Sequence, residues 1–157
     1  MNNSSLPVIN SLPKAEEPWY KDGLRFECTG CGQCCTGAPG FVWVSEEDIK
    51  AMAAHLNLSI KEFRRGYLRR VGKRYSLLEN PKTFDCIFLD GKKCEIYQLR
   101  PTQCRTFPWW PTQVKSQEEW DAAASYCEGI SPKAPLIPRE KIEEQLKLYE
   151  EKHPKEE

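Results

Sequence analysis

"FECTGCGQCCTG", residues 26–37, sets Cys28, Cys31, Cys34 and Cys35 among three glycines. A thiolate is the metal-binding form of cysteine, and soft metals such as zinc and iron favour sulfur. Two residues between cysteines let both side chains turn to one ion, and the glycines allow the tight backbone curvature this requires. Cys28-x-x-Cys31-x-x-Cys34 therefore reads as three ligands on one loop. The fourth must be Cys35 or come from farther along the chain. Adjacent side chains usually diverge, so Cys34 and Cys35 suit two neighbouring ions, or one cluster with a remote ligand, better than a single tetrahedral ion.

The remote candidates are Cys86, Cys94, Cys104 and Cys127. Together the eight thiols suffice for two four-thiolate sites. One partition gives Cys28, Cys31 and Cys34 one distal partner and leaves Cys35 with the other three. Zinc commonly takes four sulfur ligands from short loops and can supply folding energy outright. The spacing also matches the first three ligands of a ferredoxin-type iron–sulfur run, although Cys35 follows where that run expects three more residues and then Cys-Pro. An even count would equally suit four disulfides. The N-terminus, however, has no basic segment followed by an apolar run, so no export signal is expected. The expected compartment is the cytoplasm, where clustered thiols serve as ligands or redox groups. A dithiol oxidoreductase would need its C-x-x-C in a thioredoxin-like βαβ frame, which is absent.

The remainder of the 157-residue chain suits one small domain. Apolar residues make up 39% of it, a thin core that a metal would supplement. Lys and Arg number 23 and so do Asp and Glu, so no global field draws it to nucleic acid. No apolar run approaches the roughly 18 residues of a membrane span.

Ser45 with Asp48, and Ser59 with Glu62, carry the capping-box signature and open two helices, to about residues 56 and 70. "FVWV" (41–44) and "RYSLLEN" (74–80) read as strands. "CIFLDGKKCEIY" (86–97) reads as a hairpin about Asp90-Gly91 with Cys86 and Cys94 on opposite arms. Arg100-Pro101 breaks the chain before Cys104, and "TFPWWP" is a stiff aromatic loop. A third helix runs from a Ser116 cap to near Cys127. A charged C-terminal helix carries Ile142, Leu146 and Tyr149 on one stripe. The fold class is α+β: a small, loop-rich domain with helices and short strands or a hairpin around a cysteine-bound metal site. The expected organisation is a mobile lead-in (1–22), a cysteine-cluster metal-binding domain (23–130), and a Pro-rich connector with the charged helix (131–157).

With those elements placed, "CTGCGQCC" resembles the cysteine cluster of the YkgJ family of zinc- or iron-chelating domain proteins. "VWVSEEDIKAMAAHLNLSIKEFRRGYL" looks like that family's strand and two helices. "CIFLDGKKCEIYQLRPTQCRTFPWW" matches its C-x-I-Y-x-x-R-P-x-x-C-x-x-F-P segment, and Cys127-Glu128-Gly129 stands where it carries a late Cys-x-Gly. The likeness covers about residues 24–130. It implies a metal-binding domain with all eight cysteines as ligands, and zinc or iron, including a [4Fe-4S] cluster, as cofactor. Flagellin lysine N-methylase is similar in its cysteine pattern and implies an iron–sulfur-dependent protein-modifying enzyme, or a partner of one, as the alternative function. No methyl-donor loop accompanies it here, since Cys35 stands where the third glycine after Gly30 and Gly32 belongs.

Other features weigh less. His55 sits where a helix C-terminus favours a cation, and His153 falls in the solvated tail. Residues 61–74 hold seven basic side chains against one acid, and Phe63 or Tyr67 would be the base-stacking partners of a zinc-stabilised nucleic-acid adaptor. A solvated face is the simpler reading of that run. The expected partner is thus a metal ion or cluster, with room for a protein partner, no membrane and no nucleic acid. Arg100 and Arg105 flank Cys104 as candidate donors to the thiolates.

Overall fold

The structure is a computed structural model that describes residues 16–37 and 39–153. Most of the expected lead-in, residues 1–15, lies outside the described residues. In the part that is described, Trp19 Nε1 donates to the Val114 carbonyl at 2.7 Å.

Both capping boxes form. Ser45 and Asp48 exchange side-chain-to-backbone hydrogen bonds at 3.1 and 2.9 Å and start helix α1, Glu46–His55. Ser59 and Glu62 do the same at 3.1 and 2.7 Å and start α2, Ile60–Tyr67. Each box satisfies N–H groups that the first helical turn leaves without partners. The second helix is shorter than its sequence suggests. At Leu68 the chain turns into strand β3, Leu68–Val71, which pairs antiparallel with β4, Arg74–Leu77. Leu68 and Leu77 face each other in that register and are both buried. Burying this pair, with a Gly72-Lys73 turn to close the hairpin, outweighs the helix propensity of Arg69 and Arg70.

Strand β2, Trp43–Val44, adds to the other edge of β4, giving the order β2-β4-β3. The expected second hairpin is present as β5, Leu89–Asp90, and β6, Lys93–Cys94, joined by Gly91-Lys92. Cys86 lies before its first arm and bridges to Glu79 instead.

Two apolar clusters flank the cysteines. In the first, α1 and α2 pack on β3 and β4, with Phe63 wholly buried. Phe63, Tyr67 and Phe88 form a near-parallel stack with neighbouring centroids 5.1 and 5.2 Å apart. In the second, Trp109 and Trp120 stack at 5.2 Å beside Leu24 and Val114. Trp120 comes from α4, Gln117–Ala124, capped by Ser116 as its sequence predicts. Helix α5, Arg139–Lys152, lays Ile142 and Leu146 onto this cluster and Tyr149 onto Trp110.

Two elements escape a sequence reading. Within the proline-rich connector, β7, Leu136–Ile137, pairs antiparallel with β1, Leu24–Arg25, just ahead of the cysteine loop. Cys104 lies not in a loop but on a short helix, α3, Thr102–Thr106, which starts directly after Pro101. A proline is tolerated there because the first helical turn needs no donor from it. His153 is half-buried rather than freely solvated: its ring stacks on Tyr149 at 4.4 Å, and burial lowers its pKa.

Candidate metal centre

Four separate stretches bring the cysteines together. The loop supplies Cys28, Cys31, Cys34 and Cys35, and the second hairpin with its lead-in supplies Cys86 and Cys94. Helix α3 carries Cys104, and the turn after α4 carries Cys127. Backbone contacts hold the loop in place. The Cys86 N–H donates to the Cys35 carbonyl at 2.7 Å, and the Glu27 N–H donates to Gly129 at 3.0 Å. Thr29 Oγ1 donates to the Glu128 carboxylate at 2.6 Å.

Two glycines allow these approaches. Gly32 has φ +76°, and a Cβ there would lie 2.7 Å from the Lys92 carbonyl oxygen. At Gly129 a Cβ would lie 2.5 Å from the Glu27 carbonyl oxygen. A side chain at either position would push the loop off its neighbour.

The thiols line two adjoining cavities. Cys28, Cys31, Cys94 and Cys127 face only the first, and Cys86 faces only the second. Cys34, Cys35 and Cys104 border both and form the wall between them. Among the described residues, neither lining includes a histidine, aspartate or glutamate. The donor set is therefore all sulfur, which suits soft cations and disfavours calcium or magnesium, whose ligands are oxygens.

One distance corrects the sequence reading. Cys34 and Cys35 do not diverge, because their sulfurs lie 4.0 Å apart. The edge of a tetrahedron with zinc–sulfur bonds of about 2.3 Å is about 3.8 Å, so the two thiols could serve one ion after all. Among the described residues, no three metal-ligating side chains yet converge on one point. The fold gathers the donors without fixing their coordination.

The local electrostatics follow from burial and crowding. A hydrogen bond from Cys35 is the largest influence on Cys34 and, against burial, holds it down at about 7. Cys35 is pushed up, first by that same bond and then by burial. Burial pushes the Cys86, Cys94, Cys104 and Cys127 thiols up, and their mutual proximity adds to it. A thiol gives up its proton when it ligates a metal, so uptake of a cation here would release protons, and the all-sulfur lining fits a soft metal.

Arg100 is the arginine that meets the cluster. It lines the first cavity, stacks on Tyr97 at 3.9 Å and donates Nε to the Tyr97 carbonyl. Its charge favours the thiolates of Cys34, Cys94 and Cys104. Arg105 borders neither cavity and donates to Thr102 Oγ1 at 3.1 Å, so it lacks the place its sequence position suggested. The aromatic loop divides its roles. Phe107 and Trp110 wall the cavities, whereas Trp109 and Trp120 fill the second apolar cluster. Tyr97, Lys92 and Phe26 join the first cavity without any motif to announce them. Tyr97, three residues after Cys94 and three before Arg100, was the most accessible of these to a sequence argument. Neither histidine lies beside a thiol-lined cavity.

The profile of the CxxCxxCC family, described as "Putative zinc- or iron-chelating domain", matches residues 27–128. The chain belongs to this family. It is the YkgJ-type cluster that the cysteine spacing resembles, and the matched span holds all eight cysteines. A relative, the uncharacterized protein MJ0661 of Methanocaldococcus jannaschii, is 35% identical over 99 residues. That alignment covers 62% of this chain and 51% of the relative, so the match spans about half of the relative's length. No solved structure matches. No helix among the described residues is long and apolar enough to cross a membrane.

Proposed function

We propose that this CxxCxxCC protein holds zinc or an iron–sulfur cluster through Cys28, Cys31, Cys34, Cys35, Cys86, Cys94, Cys104 and Cys127. One observation carries the reading: every cysteine of the chain faces one of two adjoining cavities, with no imidazole or carboxylate beside them among the described residues. Bound there, zinc would supply a structural tie between four stretches of chain, and an iron–sulfur cluster would add a redox centre. The protein's own part is to bring the thiols together, to balance their charge with Arg100 and to limit water with Phe26, Phe107 and Trp110. Eight unpaired cysteines suit a reducing compartment such as the cytoplasm.

An iron–sulfur-dependent protein-modifying role would use the same centre. The nucleic-acid adaptor has less support. Phe63 is wholly buried and cannot reach a base, and Tyr67 is half-buried and packs against Phe63 and Phe88. Arg64 and Arg69 pair with Glu46 and Glu79.

The test is anaerobic purification without a histidine tag, followed by iron, zinc, acid-labile sulfide and visible absorption measurements. Brown protein with matched iron and sulfide makes this a cluster protein and brings redox or enzymatic roles forward. Colourless protein with stoichiometric zinc makes the metal structural. Metal-free protein with its thiols lost to disulfides would overturn the proposal.

A further inference from the structure

Among the described residues, two non-glycine residues have positive φ: Asn57 at 56° and Phe84 at 62°. Asn57 is an ordinary case. It follows the last residue of α1 and its cap, where asparagine tolerates the left-handed conformation well. Phe84 is an outlier for a bulky side chain. Its turn explains the conformation but not the residue. The Asn80 carbonyl accepts from the Phe84 N–H at 2.8 Å, and the Asn80 N–H donates to the Asp85 carbonyl at 2.8 Å. Asn80 Oδ1 also accepts from the Lys82 and Thr83 N–H groups, which fixes the turn's near side. Such a closure asks for a left-handed residue at position 84. Glycine or asparagine would supply it with less strain.

The ring's location supplies what the turn does not. Phe84 lines the second cavity together with Cys34, Cys35, Cys86 and Cys104. It stands two residues before Cys86, which forms an isolated bridge with Glu79. About 200 Å³ of that cavity is open to water-sized molecules, ample for water or a small reagent to reach the thiols.

We propose that Phe84 is a guard residue. Its ring is kept in a strained backbone position because it shields the side of the thiol centre that the second cavity exposes. The inference rests on the metal-binding reading for its purpose, though not for its geometry. The protein accepts a locally unfavourable turn in exchange for slower access to Cys86 and the three thiols beside it, a pattern expected where strain accompanies function.

The test compares Phe84→Gly, Phe84→Asn and Phe84→Leu in the full chain as purified. Each cysteine's alkylation by iodoacetamide is followed by mass spectrometry, alongside metal release to a chelator and the melting temperature. Gly and Asn remove the ring while suiting the turn, so the melting temperature should hold or rise. Alkylation of Cys86, which faces only the second cavity, should accelerate severalfold relative to Cys28, which faces only the first. Metal affinity should fall about tenfold, the lower end of what outer-shell changes cost. Phe84→Leu, which keeps an apolar cover, should restore most of the protection. An unchanged Cys86-to-Cys28 ratio in both Gly and Asn variants would overturn the proposal. So would a lowered melting temperature with all cysteines exposed alike, since that marks a packing role. If the wild-type protein proves metal-free, the metal-binding reading fails separately, and the alkylation ratio still decides whether the ring shields.

Discussion

Helix α2 and the cysteine loop are both eight residues long, yet they are held in opposite ways. Helix α2 begins with its own cap, closes its own hydrogen bonds and buries Phe63 into a stacked aromatic core. Residues 28–35 contain only one short 3-10 turn, and all of them keep some exposure to solvent. Their place depends on contacts with Lys92, Cys86 and Glu128, all contributed by distant parts of the chain. The helix region can stand on local signals and apolar burial. The loop region brings together thiols that gain little from one another until a cation joins them. One half of the molecule is self-supporting, and the other is built around something it binds.

The largest expected effect lies on the cysteine side. Cys31→Ser should cost the protein its metal and its cooperative unfolding together, because apparent zinc-binding energies of about 10–16 kcal/mol are folding energy in small metal domains. Metal analysis and a calorimetric melt check this, and a stable, fully metallated variant would erase the contrast drawn above. The counterpart on the helix side is Phe63→Ala. It should destabilise by about 3–5 kcal/mol, as large-to-small core changes do, with metal stoichiometry intact wherever the protein remains folded. Chemical denaturation and metal analysis on the same samples would show it.

Smaller changes sharpen the division. Gly32→Ala forces a side chain into a left-handed position against the Lys92 carbonyl. A loss of about 1–3 kcal/mol, with faster metal release to a chelator, is expected. The smallest effect belongs to Ser59→Ala, which removes one half of a capping box. About 1 kcal/mol should be lost in a urea melt, with the metal-release rate unchanged. If the cap variant released metal as fast as Gly32→Ala, the two regions would not be separable.

The same division explains what the sequence disclosed. Helix caps are local, so Ser45, Ser59 and Ser116 marked their helices, and the Gly91 turn marked its hairpin. The end of α2 was hidden because Leu68 pairs with Leu77, a tertiary contact that no window around residue 68 contains. Strands β1 and β7 are two residues each and exist through pairing across more than a hundred positions. At the site, cysteine spacing announced the candidate donors, and all eight line one or other of the two adjoining cavities. The spacing did not announce the 4.0 Å approach of Cys34 and Cys35, because adjacent side chains meet only when the 3-10 turn bends the backbone between them. Arg100 and Arg105 looked equivalent in sequence, and only the direction of α3 separates them.

The most direct test of the central claim is the X-ray absorption spectrum at the edge of whichever metal co-purifies. A thiolate cage predicts a first shell of sulfur alone, with distances of about 2.3 Å and close to four sulfurs per metal. A shell dominated by nitrogen or oxygen would contradict it, because neither thiol-lined cavity offers an imidazole or carboxylate among the described residues.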